Sequence, residues 1–367
     1  MNHRRAFLRL LGGGIVVAAG AATGFAVTRT PRRALAPWEA AGSYEEPRMR
    51  ALSWAILAPN PHNRQPWEID LRAPGVATIW RDGRRKLPET DPFERQLTIG
   101  MGCFLELLAI AASDTGHAVE FDLFPEGEAG PVAVARFREG GAARDPLFAH
   151  VPDRRSCKEP FEDRPLPPGV EKALAGLATV IAEPDRVAQL RRLTWDAWMV
   201  EATTHRTMKE SVDLFRMGKA EIEANPDGID LGGPFLEGLM LLGMLTRAGQ
   251  LDPASPEFAQ GVAIYEEMLS ATPAYAVVTT QGNSRLDQIA AGRRWLRLNL
   301  TTTGLGLALH PVSQCLQEYP EMAAHYAEAH RTLASPGETV QMLGRLGYGP
   351  ETARTPRWKL ETRLRDA

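Results

Sequence analysis

Ala58-Pro-Asn-Pro-His-Asn-Arg-Gln-Pro-Trp67 puts three prolines and three carboxamides into ten residues. Proline fixes φ and removes a backbone donor, so the run predicts a shaped polar loop rather than a helix or strand. Asn63 and Gln65 within it offer donors and acceptors without adding a titrating group; the plain alternative is a polar turn between prolines. Downstream, Gly102-Cys-Phe-Leu-Glu-Leu-Leu-Ala-Ile-Ala-Ala continues to Gly116, and the run from Gly292 to Gly306 lays over it at a constant offset. Leu105 then falls on Trp295, Leu108 on Leu298 and Ile110 on Leu300. Each run predicts an apolar helix of about four turns, closed by glycine and suited to the centre of a core. The match predicts two related halves, against the rival of a chance likeness between apolar helices. A fold doubled in one chain imitates the two-fold interface of a homodimer, so the expected state is a monomer with an internal pseudo-dimer.

Other segments fix the class. Val76 to Arg81, His117 to Phe124, Val132 to Phe137 and Ala274 to Thr280 have the β-branched, alternating character of strands. Val187 to Met217 and Pro256 to Leu269 read as helical. The mixture predicts α+β. Turn residues make a loop of Glu223 to Pro234, and Phe235 to Leu245 is dense in Met and Leu. Such a segment is either core filler or a flexible lid over an apolar ligand site, part of an insertion around residues 210–255.

Arg4-Arg5-Ala6-Phe7-Leu8 precedes an uncharged stretch from Leu10 to Val27, with further arginines at 29, 32 and 33. This pattern is similar to a twin-arginine export signal, which passes a folded chain through the translocase. The expected location is periplasmic, or anchored to the inner membrane facing the periplasm. Cleavage after Ala34-Leu35-Ala36 would place Pro37 first, which hinders a peptidase, so residues 1–36 stand as signal or anchor. Without them 36 basic residues face 45 acidic ones. That balance, with scattered arginines, excludes a nucleic-acid partner. Cys103, Cys157 and Cys315 lack metal spacing and the histidines lack companions, so no metal site is expected.

The 58–67 run resembles the flavin-contacting loop of the nitroreductase superfamily, Ala-Pro-Ser-x-x-Asn-x-Gln-Pro-Trp, with Asn60 in place of serine. Asp82-Gly-Arg-Arg-Lys-Leu-Pro-Glu-Thr-Asp-Pro92, Glu94-Arg95 and the glycine-led helix follow in the order of its tandem Acg-like subgroup. Arg154-Arg155-Ser156-Cys157-Lys158 up to Phe161 is similar to the Arg-Arg-Thr-x-Arg-x-x-Phe that opens the subgroup's second half, with Lys158 for arginine. Gly304-Leu-Gly306, Pro311, Gln314, Leu346 to Pro350 and Pro356-Arg357 resemble the closing segments. The resemblance spans about residues 44–360 and implies halves at 44–150 and 151–367.

What it implies is FMN. Arg154, Arg155 and Ser156, with Arg357, would hold the phosphate; Asn63 and Gln65 would meet the isoalloxazine edge; Gly304 and Gly306 would let backbone approach the ring; an arginine or Lys158 would serve near N1 and O2. No catalytic side chain is expected, because such a cofactor carries the chemistry. The implied activity is two-electron reduction of a flat acceptor, a nitroaromatic or quinone, from a donor left unknown because nicotinamides are scarce outside the cytoplasm. One FMN per chain is expected, since the first half lacks an arginine pair matching 154 and 155. The alternatives are a flavin-holding or redox-partner protein without turnover, and a fold that has lost its flavin.

Overall fold

The computed structural model describes residues 28–365; the Arg4-Arg5 motif and the apolar stretch to Val27 lie outside them. The first half contains α1 (Arg32–Ala40), α2 (Pro47–Ala55), β1 (Trp67–Asp70), β2 (Val76–Arg81), α3 (Arg95–Ser113), β3 (His117–Leu123) and β4 (Ala133–Glu139). The second continues with α4 (Val170–Leu174), β5 (Thr179–Ile181), α5 (Pro184–Thr203), α6 (His205–Asp213), β6 (Phe215–Met217), α7 (Gly218–Ala224), β7 (Ile229–Leu231) and α8 (Pro234–Leu241). It closes with α9 (Arg247–Leu251), α10 (Pro256–Ser270), β8 (Ala274–Thr280), α11 (Arg285–Gly304), β9 (Ala308–Pro311), α12 (Ala323–Leu333) and β10 (Thr339–Gly347).

Two antiparallel four-stranded sheets result, in the orders β1-β2-β4-β3 and β5-β8-β10-β9, so the class is α+β. β6 and β7 form a separate parallel pair. Between the sheets α3 and α11 pack as a central couple. A Cβ at Gly102 would sit 2.3 Å from the Ile289 carbonyl oxygen, and one at Gly292 would sit 2.0 Å from that of Ile99. Ile99 and Ile289 are related by the same offset as the two glycines, so the contact is reciprocal in the register of the repeat. This is the geometry of an isologous interface inside one chain. Only glycine allows so close a crossing. The main core cluster draws on both halves, from Leu52, Phe104 and Ile79 to Leu298, Ala276 and Leu346. The C-terminal segment then returns to the first half, where Arg365 N–H bonds the Ile69 carbonyl at 2.7 Å.

The expected helical stretch from Val187 to Met217 divides. Thr204 takes extended backbone (φ −80°, ψ 107°), separating α5 from α6, and residues 215–217 form β6. The Thr207 hydroxyl caps the break by donating to the Glu201 and Thr204 carbonyls, both at 2.8 Å. The boundary at residue 36 falls inside α1, whose Ala34, Pro37 and Trp38 are buried. The Met- and Leu-rich segment is not core filler: Phe235, Leu241, Leu242 and Met244 are exposed.

Candidate functional site

The proline-rich loop is held in a strained shape by its own amides. Asn60 accepts the Gln65 N–H at 2.7 Å and donates to the Ala58 carbonyl at 3.1 Å. His62, Asn63 and Gln65 all have left-handed backbone, with φ of 47°, 49° and 49°. Each such residue costs roughly 1–2 kcal/mol, and strain of this kind concentrates at working sites. Tertiary contacts offset it. Gln65, wholly buried, donates to the Pro226 carbonyl at 2.7 Å and accepts the Trp358 N–H at 2.9 Å. Its carboxamide joins three chain segments. Asn63 likewise donates to the Pro356 carbonyl at 3.0 Å and accepts from the Arg357 guanidinium at 2.6 Å.

Arg154, Arg155 and Arg357 gather beneath this loop. Arg154, 4 % exposed, donates to Asn299 Oδ1 at 3.0 Å and to the Leu57 carbonyl at 3.1 Å. Arg357, 3 % exposed, donates to the same Leu57 carbonyl at 3.2 Å and to that of Ile56 at 3.1 Å. Arg155 stacks on the Trp38 indole, its guanidinium carbon 4.6 Å from the ring centre, and its Nε is buried without a partner. None of the three pairs with a carboxylate within 4.0 Å among the described residues. Burial first, then their mutual repulsion, pushes Arg154 down to about 10 and Arg357 to about 9. Guanidinium still stays charged at neutral pH. Two buried cations and a third beside them, with Asp230, Asp153 and Glu351 acting only from beyond ion-pair distance, leave a site that a dianion would suit. Ser156, half-buried, follows directly in the chain and makes no side-chain hydrogen bond among the described residues.

A second group surrounds Lys158, which is exposed. Burial and the Lys158 charge, together with Arg64, push His62 down to about 4; burial, Arg345 and Lys158 hold His310 well below its usual value. Both rings are neutral at pH 7. Desolvation by the surrounding protein raises Asp230 although its side chain reaches solvent, with Lys158 and Arg357 opposing the rise. The Lys158 charge is thus felt on three elements, through His62 in the 58–67 loop, Asp230 on β7 and His310 on β9.

Gly304 and Gly306 occupy the exposed end of α11. The close approach there is made by the protein: a Cβ at Gly304 would lie 2.6 Å from His150 Nε2. The His150 carbonyl accepts the Arg154 N–H at 3.0 Å, so His150 links Gly304 to the arginine segment, while Gly306 has open space around it. An open cavity of about 330 Å³ between α1, α2 and residues 359–361 touches none of the arginine side chains. Sequence reasoning missed Trp38, Asn299 and Asp230. Asn299 carried a usable signal, as the carboxamide within an apolar helical run; Trp38 lay beyond the expected signal boundary.

No family model matches the chain. It is 24% identical over 316 residues to a "Putative NAD(P)H nitroreductase" of Mycobacterium tuberculosis strain CDC 1551, covering 82% of this chain and 85% of that one. The same values hold for the protein of that name in strain H37Rv. The likeness is to nitroreductases. Among solved structures, a nitroreductase with bound FMN from Bacteroides fragilis aligns with TM-score 0.34 and 12% identity, covering 59% of this chain and 94% of its own. The FMN-dependent nitroreductase NfnB of Mycobacterium smegmatis, in complex with NADPH, aligns with TM-score 0.37 and 17% identity, covering 60% and 97%.

Proposed function

We propose that this chain is an FMN-dependent oxidoreductase of the nitroreductase type. The observation that carries the reading is the trio Arg154, Arg155 and Arg357, buried or half-buried together without a carboxylate partner, in a chain similar to nitroreductases over most of its length. The donor set fits a phosphate. Three guanidiniums, one with an orphaned Nε, and the Ser156 hydroxyl next to them would give forked, charge-assisted hydrogen bonds to a dianion. FMN, when bound, supplies the two-electron chemistry. The chain's part is to hold and orient it. Asn63 and Gln65 do this indirectly, by fixing the strained loop against Arg357 and Trp358. Burial, with Lys158 and Arg64 adding to it, leaves His62 a neutral imidazole that would hydrogen-bond a flat acceptor such as a nitroaromatic or quinone.

Export by the twin-arginine route, with the site facing the periplasm, completes the proposal; the route's tolerance of folded cargo suits a protein loaded with FMN before it leaves. The relatives' name makes NAD(P)H the donor to try first, although the periplasm holds little of it. Arg154→Ala with Arg155→Ala should weaken FMN by at least about 100-fold and riboflavin far less, since losing two charge-assisted contacts costs roughly 3 kcal/mol or more. Equal losses for both ligands, measured by equilibrium dialysis, would contradict the phosphate assignment. Anaerobic titration with a donor and then a quinone separates enzyme from carrier, because a flavin carrier's chromophore stays oxidised throughout.

A further inference from the structure

Between Gly232 and Thr246 the one charged side chain is Glu237, and it points inward. It is buried, accepts the Lys219 N–H at 3.1 Å and pairs with the Arg29 guanidinium at 3.1 Å. Four of the large apolar side chains of this stretch face outward, while Leu236, Leu239, Met240 and Leu245 are half-buried. Phe235 is 59% exposed, Leu241 77%, Leu242 66% and Met244 46%. A segment with its charge turned in and four large apolar side chains turned out reverses the pattern of a solvated helix, and such patches mark interaction surfaces.

The first described residues, Thr28 and Arg29, are held at this helix. Arg29 is tied to Glu237 on α8, and Lys219 Nζ donates to the Thr28 carbonyl at 2.9 Å. The run Leu10 to Val27, which carries no charge, ends just before Thr28. Its length falls within what a bilayer span takes, about 20 residues. A trans-linked chain extends at most about 3.6 Å per residue, so the end of the run cannot be more than roughly 10 Å from Arg29. Release of the run by cleavage after Ala36 is opposed by the fold. Ala34, Leu35 and Ala36 lie within α1; Ala34 is 2% exposed and its carbonyl accepts the Arg357 N–H at 2.9 Å. A peptidase needs that segment extended, while a chain exported in the folded state presents it as helix.

We propose that the chain keeps residues 10–27 as a membrane anchor and lays Phe235, Leu241, Leu242 and Met244 against the lipid surface of the same bilayer. The proposal rests on the exported reading above. Arg32 and Arg33, next in the chain, are exposed, Arg33 pairing with Glu223 at 2.9 Å, and add basic charge beside the anchor that anionic lipid would attract. Anchor and apolar face act as two weak signals that reinforce each other, orienting the protein on the membrane.

The test uses the full chain, recovered from membranes and placed in phosphatidylcholine vesicles with a minor share of phosphatidylglycerol. A polarity-sensitive fluorophore is attached at Leu241→Cys and, as control, at Leu286→Cys, which is 54% exposed at the start of α11. The native cysteines at 103, 157 and 315 are buried. The expected result is intact mass, flotation with the vesicles, and loss of most of the Leu241→Cys emission when nitroxide lipids are present, with none at Leu286→Cys. A chain beginning at Pro37, or one that stays out of the floating fraction, overturns the anchor. Flotation with an unquenched label at position 241 overturns the lipid face; protection of that label that grows with protein concentration does the same and points to a second copy. Flavin absorbance of the floated protein is scored separately, so a failure of docking is distinguished from a failure of the FMN reading.

Discussion

Glu201 is a buried carboxylate without a cation. Gln317 Nε2 donates to it at 2.9 Å and the Ser211 hydroxyl at 3.5 Å, and burial, with Glu210 nearby, pushes it up to about 7. Its folded value lies above the unfolded one, so the folded state holds the extra proton between about pH 4.5 and 7. Stability from this group is therefore full below about pH 4.5 and falls as pH rises to about 7, by at most about 3 kcal/mol. Glu201→Gln is expected to raise stability at pH 8 by about 1–3 kcal/mol and to flatten the acid-to-neutral slope, read from urea unfolding at pH 5 and 8. The Gln317 carbonyl, buried without a partner, gives the new amide an acceptor. Side chains of this kind show how much of the site could be read early. That Arg154, Arg155 and Arg357 come together was legible because all three stand in segments that resemble one family's pattern. The backbone contacts of Asn63 and Gln65 were not, because their partners Pro226, Pro356 and Trp358 lie far along the chain.

At the scale of elements, the α3 and α11 crossing is the sharpest constraint. Gly102→Ala places a methyl against the Ile289 carbonyl and Gly292→Ala against that of Ile99, both far inside contact distance. Backbone on each side cannot yield cheaply, so each change should destabilise by about 3 kcal/mol or more, seen as a lower denaturant midpoint. Gly306→Ala, at φ +70° on the surface with open space around it, should cost only about 1 kcal/mol. α3 was legible because most of its residues are apolar, and α11 because its apolar positions repeat those of α3 at a constant offset. β2, β3 and β8 were legible from alternation or β-branching. β10 was not read as a strand, because burial on both faces removes the alternation that marks one. The break at Thr204 escaped notice for a different reason: threonine is common inside helices, and the hydroxyl of Thr207 that caps the break is three residues away.

At the scale of the whole molecule, the two halves meet as subunits of a dimer would, and the main core is shared between them. Separately expressed halves are expected to remain unfolded. A chain shortened to begin at Thr28 should be monomeric at micromolar concentration by light scattering; a tight dimer would contradict a self-sufficient internal interface. Trp38 ties this architecture to the site. Its indole covers Arg155 and donates to the Thr355 carbonyl at 2.8 Å, closing the N-terminal segment over the C-terminal one. Trp38→Ala should cost about 3–5 kcal/mol by thermal or denaturant unfolding, since it empties a large buried site.

The central claim is that the arginine cluster holds the phosphate of a flavin, and an absorption spectrum of the purified chain, with the released chromophore identified after heat denaturation, tests it most directly. The expected result is a yellow protein with near-ultraviolet and blue bands that releases FMN, in a ratio of one per chain. A correctly folded, colourless protein that takes up no added FMN would contradict it.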